Sequence, residues 1–290
     1  MKPLPTHSRL SLADGCRLGL VAAALALGAC EKQRDIYVLT SAGRILGFSS
    51  TEPDSIDSSV TVSGLNGGES LVQLDYRPAS DTYYCLTSDE RLCTVDPRSG
   101  AVSLVSNSRI TTDNLVSAVI DFNPVADLLR VIASQQNLRV NPGDATLAGT
   151  DTRVDFDNDD PNDGASPQLA AIAYDRNENG AGSTTLYGLD ITTQSLVRVG
   201  SRGGAPNSPS AGRLFTIADL DTAFTANAGF DIEPKGDTAY AALAGAGAGA
   251  ALYRVDLSRG STDRVGEIDR GETTVIDLVV GPERTGGSGN

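Results

Sequence analysis

Tryptophan is missing from the 290 residues, aromatic residues make up 5%, and histidine and methionine occur once each, as His7 and Met1. Without tryptophan there is no large aromatic platform on which nucleobases could stack. His7 lies in a segment that export would remove, so the remaining chain would carry no imidazole. That excludes Ser-His-Asp and Cys-His catalysis and every His-bearing metal site. Positive charge is scarce too: 23 Lys+Arg face 37 Asp+Glu, a net charge of -14. Such a surface repels a phosphate backbone, which is bound through Lys and Arg. Nucleic acid is therefore excluded as a partner. The apolar run at 18–29 falls short of the roughly 20 residues that a membrane-spanning helix needs.

That run instead has the length of a signal-peptide core, preceded by the cationic Lys2, Arg9 and Arg17. It ends in Leu27-Gly28-Ala29-Cys30, which resembles a bacterial lipobox. The reading predicts a lipoprotein signal over 1–29, lipidation at Cys30, a short tether at 30–34 and export in the unfolded state. Ordinary secretory cleavage after Ala29 is the alternative. Glu31, in the position after the lipidated cysteine, points by resemblance to Gram-negative lipoproteins toward the outer membrane, facing the periplasm or the cell surface. Loss of 1–29 takes away Lys2, Arg9, Arg17 and Asp14, leaving 20 basic against 36 acidic residues. The membrane partner would then be reached through the acyl chains, not through a basic patch.

The body of the chain repeats. An apolar strand closes in a turn at Leu74-Asp75-Tyr76-Arg77-Pro78, Ile120-Asp121-Phe122-Asn123-Pro124, Ile172-Ala173-Tyr174-Asp175-Arg176, Phe230-Asp231-Ile232-Glu233-Pro234 and Leu278-Val279-Val280-Gly281-Pro282. Behind each of the first four come two or three further short strands rich in β-branched and aromatic residues, bounded by Gly, Pro, Asn, Asp or Ser. A period of about 40–50 residues with several strands per unit is the mark of propeller blades. Strands near 35–40, 44–48 and 59–62 lack a first strand of their own, and 275–280 is a first strand without followers. Joined, they complete a fifth blade and remove the open sheet edge. The prediction is an all-β, five-bladed propeller of four-stranded blades over 35–282, closed by the C-terminal strand, with a tail at 283–290.

Cys85 and Cys93 stand on two strands about a turn at Ser88-Asp89-Glu90, on one face and directly opposed. In an oxidising compartment they can form a disulfide closing a short loop, worth roughly 2.5 kcal/mol. As reduced thiols they would serve as small buried hydrophobes.

Several stretches resemble a bacterial exported family catalogued as domain of unknown function 4394. They are Gly64-Leu65-Asn66-Gly67-Gly68-Glu69-Ser70-Leu71 leading into Asp75-Tyr76-Arg77-Pro78, Phe122-Asn123-Pro124-Val125-Ala126-Asp127-Leu128-Leu129-Arg130-Val131, and Gln136-Asn137-Leu138-Arg139-Val140-Asn141-Pro142. Thr184-Thr185-Leu186-Tyr187-Gly188-Leu189-Asp190 and Ala228-Gly229-Phe230-Asp231-Ile232 continue the likeness. The resemblance implies a propeller-like β protein and brings no catalytic residues. Cys30 and the Cys85/Cys93 pair lie outside the shared pattern.

Three constellations could carry chemistry. Asp75, Asp121 and Asp231 share one register of the channel-facing strand, with Ala173 and Val279 breaking the ring. They are either a carboxylate cluster for a cation or for acid–base work, or blade-packing groups that accept backbone hydrogen bonds. Arg130 and Arg139 are nearly opposite on adjacent strands and need a carboxylate between them, which Asp121 or Asp127 could supply. Otherwise they form an anion pocket with Asn137 and Asn141. The acidic run containing Asp155, Asp157 and Asp159 has carboxylates at alternate positions. It has Asp160 where an EF-hand needs glycine and Ser166 where it needs a bidentate glutamate, so only an irregular calcium site or a solvated turn remains. No nucleophile elbow or phosphate loop is present. The expectation is a monomeric, lipid-anchored, non-enzymatic binding or scaffolding module for a protein, peptide or glycan. It would need no cofactor, and calcium is the one candidate. A carboxylate-dependent hydrolase of glycan-type substrates is the alternative.

Overall fold

Short strands separated by tight turns account for nearly all regular structure in the computed structural model, which describes residues 33–110 and 117–283. Cys30, the signal segment, most of the tether and residues 284–290 lie outside the described residues. No helix among the described residues is long and apolar enough to cross a membrane.

The N-terminal sheet holds β1 (Arg34–Thr40), β2 (Arg44–Ser49) and β3 (Glu52–Thr61). The second holds β4 (Leu71–Arg77), β5 (Thr82–Thr87), β6 (Arg91–Val95) and β7 (Val102–Arg109). The third runs β8 (Ala118–Asn123), β9 (Leu128–Ala133), β10 (Gln136–Val140) and β11 (Leu147–Thr150). The fourth contains β12 (Asp155–Phe156), β13 (Leu169–Tyr174), β14 (Leu186–Asp190), β15 (Ser195–Val199) and β16 (Arg213–Asp219). The fifth contains β17 (Gly229–Ile232), β18 (Ala239–Leu243), β19 (Ala251–Val255) and β20 (Thr262–Glu267). The last strand, β21 (Val275–Glu283), returns to pair antiparallel with β1, matching Ile36 to Val280 and Val38 to Leu278. These are five blades in a ring, closed as the orphan strands require. The innermost strands β4, β8, β13, β17 and β21 abut in that order around the channel.

Why the sheets stack follows from the two-residue period of a strand, which sends alternate side chains to opposite faces. On β8, Val119 joins Ile172, Tyr174 and Val197 between the third and fourth blades. Ile120 and Phe122 join Tyr84 and Leu86 between the second and third. Equivalent apolar layers fill the remaining three interfaces. At the fifth-to-first junction the chains approach so closely that a Cβ on Gly229 would lie 2.2 Å from the Leu278 nitrogen. Only glycine fits there.

Cys85 and Cys93 face each other in the β5–β6 ladder, 4.9 Å apart at Cα and joined as a disulfide, fully buried against the first blade. The fourth blade gains a strand beyond the expected four. β12 lies parallel to β16, with Phe156 and the preceding Val154 buried in the core. Part of the acidic run thus serves as sheet edge and not as a solvated turn.

Candidate functional site

The innermost strands are mostly apolar, and four of the five carry a buried aspartate. Asp75, Asp121 and Asp231 are each 2% exposed. Each reaches across to the next blade and accepts a backbone N–H. Asp75 Oδ2 takes that of Phe122 at 2.5 Å, Asp121 Oδ1 that of Tyr174 at 3.0 Å, and Asp231 Oδ2 that of Val280 at 2.7 Å. The second oxygens of Asp75 and Asp231 accept the N–H of the following residue, Tyr76 and Ile232.

Val279 leaves the register without a carboxyl at the last blade, as expected, and Asp277 supplies one from a neighbouring position. It sits two residues before Val279, is 3% exposed, and accepts the Leu74 N–H at 2.6 Å and the Leu278 N–H at 2.9 Å. Val280 meets the Asp231 carboxyl at the repeat position that Phe122 and Tyr174 hold on their strands, so the last inner strand keeps the register. Asp277 lies two residues earlier on the same face and engages Leu74 in place of Tyr76. Asp277 was legible as the one acidic residue in the apolar stretch 275–280. Ala173 gives its junction to the fifth blade no such carboxyl.

Four carboxyls so placed cannot all ionise. Oxygens of Asp75, Asp121 and Asp231 lie within 4.8 Å of one another, close enough to share protons or to hold one cation. Burial raises Asp75 and Asp121 well above the ordinary carboxylate range, and the neighbouring channel carboxylates raise them further. Burial, partly offset by the backbone N–H donors, pushes Asp231 up to about 7 and Asp277 up to about 8. The chemistry available to Asp75, Asp121 and Asp231 is proton sharing or the holding of one cation, and with Asp277 they tie four blade junctions together.

Arg130 and Arg139 are directly paired on β9 and β10. The carboxylate between them is Asp151, in place of the expected Asp121 or Asp127. Asp151 Oδ2 accepts from Arg130 at 2.6 Å and from Arg139 at 2.9 Å, and Oδ1 accepts from Arg139 at 2.8 Å. Asn137, fully buried, accepts from Arg130 and donates to the carbonyls of Thr152 and Pro209. Asn141 turns to Thr146, and Asp127 accepts from Arg77 across a blade junction. The signal for Asp151 was the β10–β11 hairpin, whose Leu138–Thr150 pairing sets Asp151 opposite Asn137.

Asp155, Asp157 and Asp159 do not gather as metal ligands. Among the described residues, the group of three or more with that geometry is Asp75, Asp121 and Asp231. Asp155 accepts its neighbour's N–H, and Asp157 accepts from Asp159 N–H and from Arg213 at 2.8 Å.

At the C-terminal ends of the inner strands, loops from four blades wall a cavity of about 920 Å³, lined among others by Tyr76, Pro78, Asn177, Pro234 and Pro282. Ligand sites commonly measure about 300–1,000 Å³. Asn177 is fully buried, yet neither of its amide atoms has a hydrogen-bond partner among the described residues. Such an orphaned group costs about 1–3 kcal/mol. No local sequence pattern distinguishes Asn177 from other loop asparagines.

A ring of five sheets, four of them four-stranded and one carrying an added edge strand, closed by its own last strand defines the class: a five-bladed β-propeller. The chain belongs to the family described as domain of unknown function (DUF4394), whose pattern matches residues 44–279. No curated protein matches it. Among solved structures it is similar to a chain in a crystal structure of a nidogen/laminin complex, at 10% identity and TM-score 0.48, covering 86% of this chain and 98% of that one. It is also similar to a structural genomics protein of unknown function from Bacteroides thetaiotaomicron, at 11% identity and TM-score 0.48, covering 72% and 54%.

Proposed function

We propose that this propeller is a lipid-anchored, non-enzymatic binding module of the cell envelope. The observation that carries the reading is how the channel carboxylates are used. Asp75, Asp121, Asp231 and Asp277 all accept backbone N–H groups from the adjoining blade, and all are buried. General acid–base catalysis needs two carboxyls in unequal environments within reach of one substrate. Here each carboxyl is nearly inaccessible to solvent and engaged by backbone N–H groups, so none is offered to a substrate. With the channel given to structure, binding falls to the loop surfaces, which include the mouth cavity of about 920 Å³. Anchoring through Cys30 supplies the membrane partner.

Two experiments test this. Asp121→Asn should leave any glycan turnover of the purified chain unchanged; cleavage abolished by that change with melting unaltered would establish the hydrolase instead. Cys30→Ser should move the protein from the membrane fraction to soluble or unprocessed forms, and unchanged membrane retention would remove the anchor from the account.

A further inference from the structure

The mouth cavity combines two features that ask for the same ligand. Asn177 is part of its lining, and the donor and acceptor of its amide are buried without a hydrogen-bond partner among the described residues. A peptide group offers the complementary acceptor and donor. Around it, the exposed Asp81 and Glu178 outnumber the exposed Lys235. The cation nearest to serving an anionic ligand, Arg34, is engaged by Glu233 at 2.9 Å.

We propose that the cavity binds an extended, basic peptide segment, with Asn177 pairing through both amide atoms to one backbone peptide group while Asp81 and Glu178 receive Lys or Arg side chains. Three rim prolines give a rigid apolar floor for the intervening side chains. A sugar is the poorer fit. Tyr76 is the aromatic residue in the lining, and its hydroxyl is committed to Asp81 at 2.7 Å. Asn177 directly precedes the exposed residues 178–180, where Gly180 adopts φ +82°. Glycine takes such conformations at little steric cost, and binding as proposed requires this short loop to yield and uncover the amide. The proposal rests on the binding-module reading and gives it a ligand class.

The test is selection of a phage-displayed random heptapeptide library on the full-length chain, followed by fluorescence anisotropy with the selected peptides. Enrichment in Lys and Arg is expected. Binding should weaken about tenfold or more in Asn177→Ala, the loss of a hydrogen-bonded pair, and also in the surface variant Glu178→Lys and at raised salt. The melting temperature of Asn177→Ala should hold or rise, because an unpartnered buried amide is removed. No enrichment, equal binding to both variants, a melting temperature lowered by Asn177→Ala, or displacement of the peptides by maltohexaose would each overturn the proposal. Those outcomes leave the binding-module reading standing. Glycan cleavage lost in Asp121→Asn is what would sink that reading.

Discussion

Asp231 in the channel and Asp151 beside the outer strands of the third blade are both shielded from water, and they titrate in opposite directions. Asp231 has backbone N–H partners, from Val280 and Ile232, and burial pushes it up to about 7 in spite of them. Burial acts upward on Asp151 as well, but hydrogen bonds from Arg139, Ser210 and Arg130 outweigh it and hold the carboxyl below its ordinary range. Backbone donors join two blades without bringing a full positive charge, so burial prevails and the channel carboxyls hold their protons to higher pH than an ordinary carboxyl. A guanidinium brings that charge, and the carboxylate beside it stays ionised. One propeller therefore contains two kinds of buried acid. One kind is a protonated fastener between blades, and the other is the counter-ion of a buried cation.

The largest effect should come from breaking the second kind. Asp151→Asn leaves Arg130, whose side chain is 3% exposed, without its carboxylate. The expected loss is about 3 kcal/mol, a fall in melting temperature on the order of 10 °C by calorimetry. A melting temperature within a degree or two of wild type would show that Asn137 suffices for Arg130.

Among the fasteners the cost should follow the number of N–H groups each accepts. In Asp75→Asn the new amide must face one of two backbone donors, Tyr76 or Phe122. It should lose about 1–2 kcal/mol in denaturant unfolding. Asp121→Asn can keep its acceptor on Tyr174 N–H and should lose less than about 1 kcal/mol. The reverse order would mean that the negative charge, and not the hydrogen bond, does the fastening at Asp121.

How much of this was legible differs by residue. Asp75, Asp121 and Asp231 stand at the same distance before a turn, so the repeat gave away both the blades and the register. Asp277 shows in the sequence as a lone acid in an apolar run, but it lies two residues before the position that the repeat marks, so the repeat does not assign it to the channel. A residue two places along a strand shares the face, yet a pattern read at one position does not reach it. Asp151 was missed for a related reason. It follows a strand of only four residues, and its partner arginines lie on the two neighbouring strands. The parallel addition of β12 to β16 joins segments more than fifty residues apart through two ladder pairs, Asp155 with Arg213 and Phe156 with Leu214. Neither segment announces the other.

The central claim is that the channel carboxyls are protonated structural groups, and its signature is the sign of a pH dependence. A carboxyl whose folded-state pKa exceeds its unfolded value contributes most stability below the unfolded value, near 4, and loses that contribution as pH rises through the folded value. With Asp231 at about 7 and Asp277 at about 8, the melting temperature should fall between about pH 4 and pH 8. The groups held low, such as Asp151, act in the opposite sense and below that window. Calorimetric melting across this range, on the wild-type chain and on Asp231→Asn, is the direct measurement. The account predicts a decline with rising pH that is visibly shallower in the variant. A melting temperature that climbs with pH, or a slope the variant leaves untouched, would contradict it.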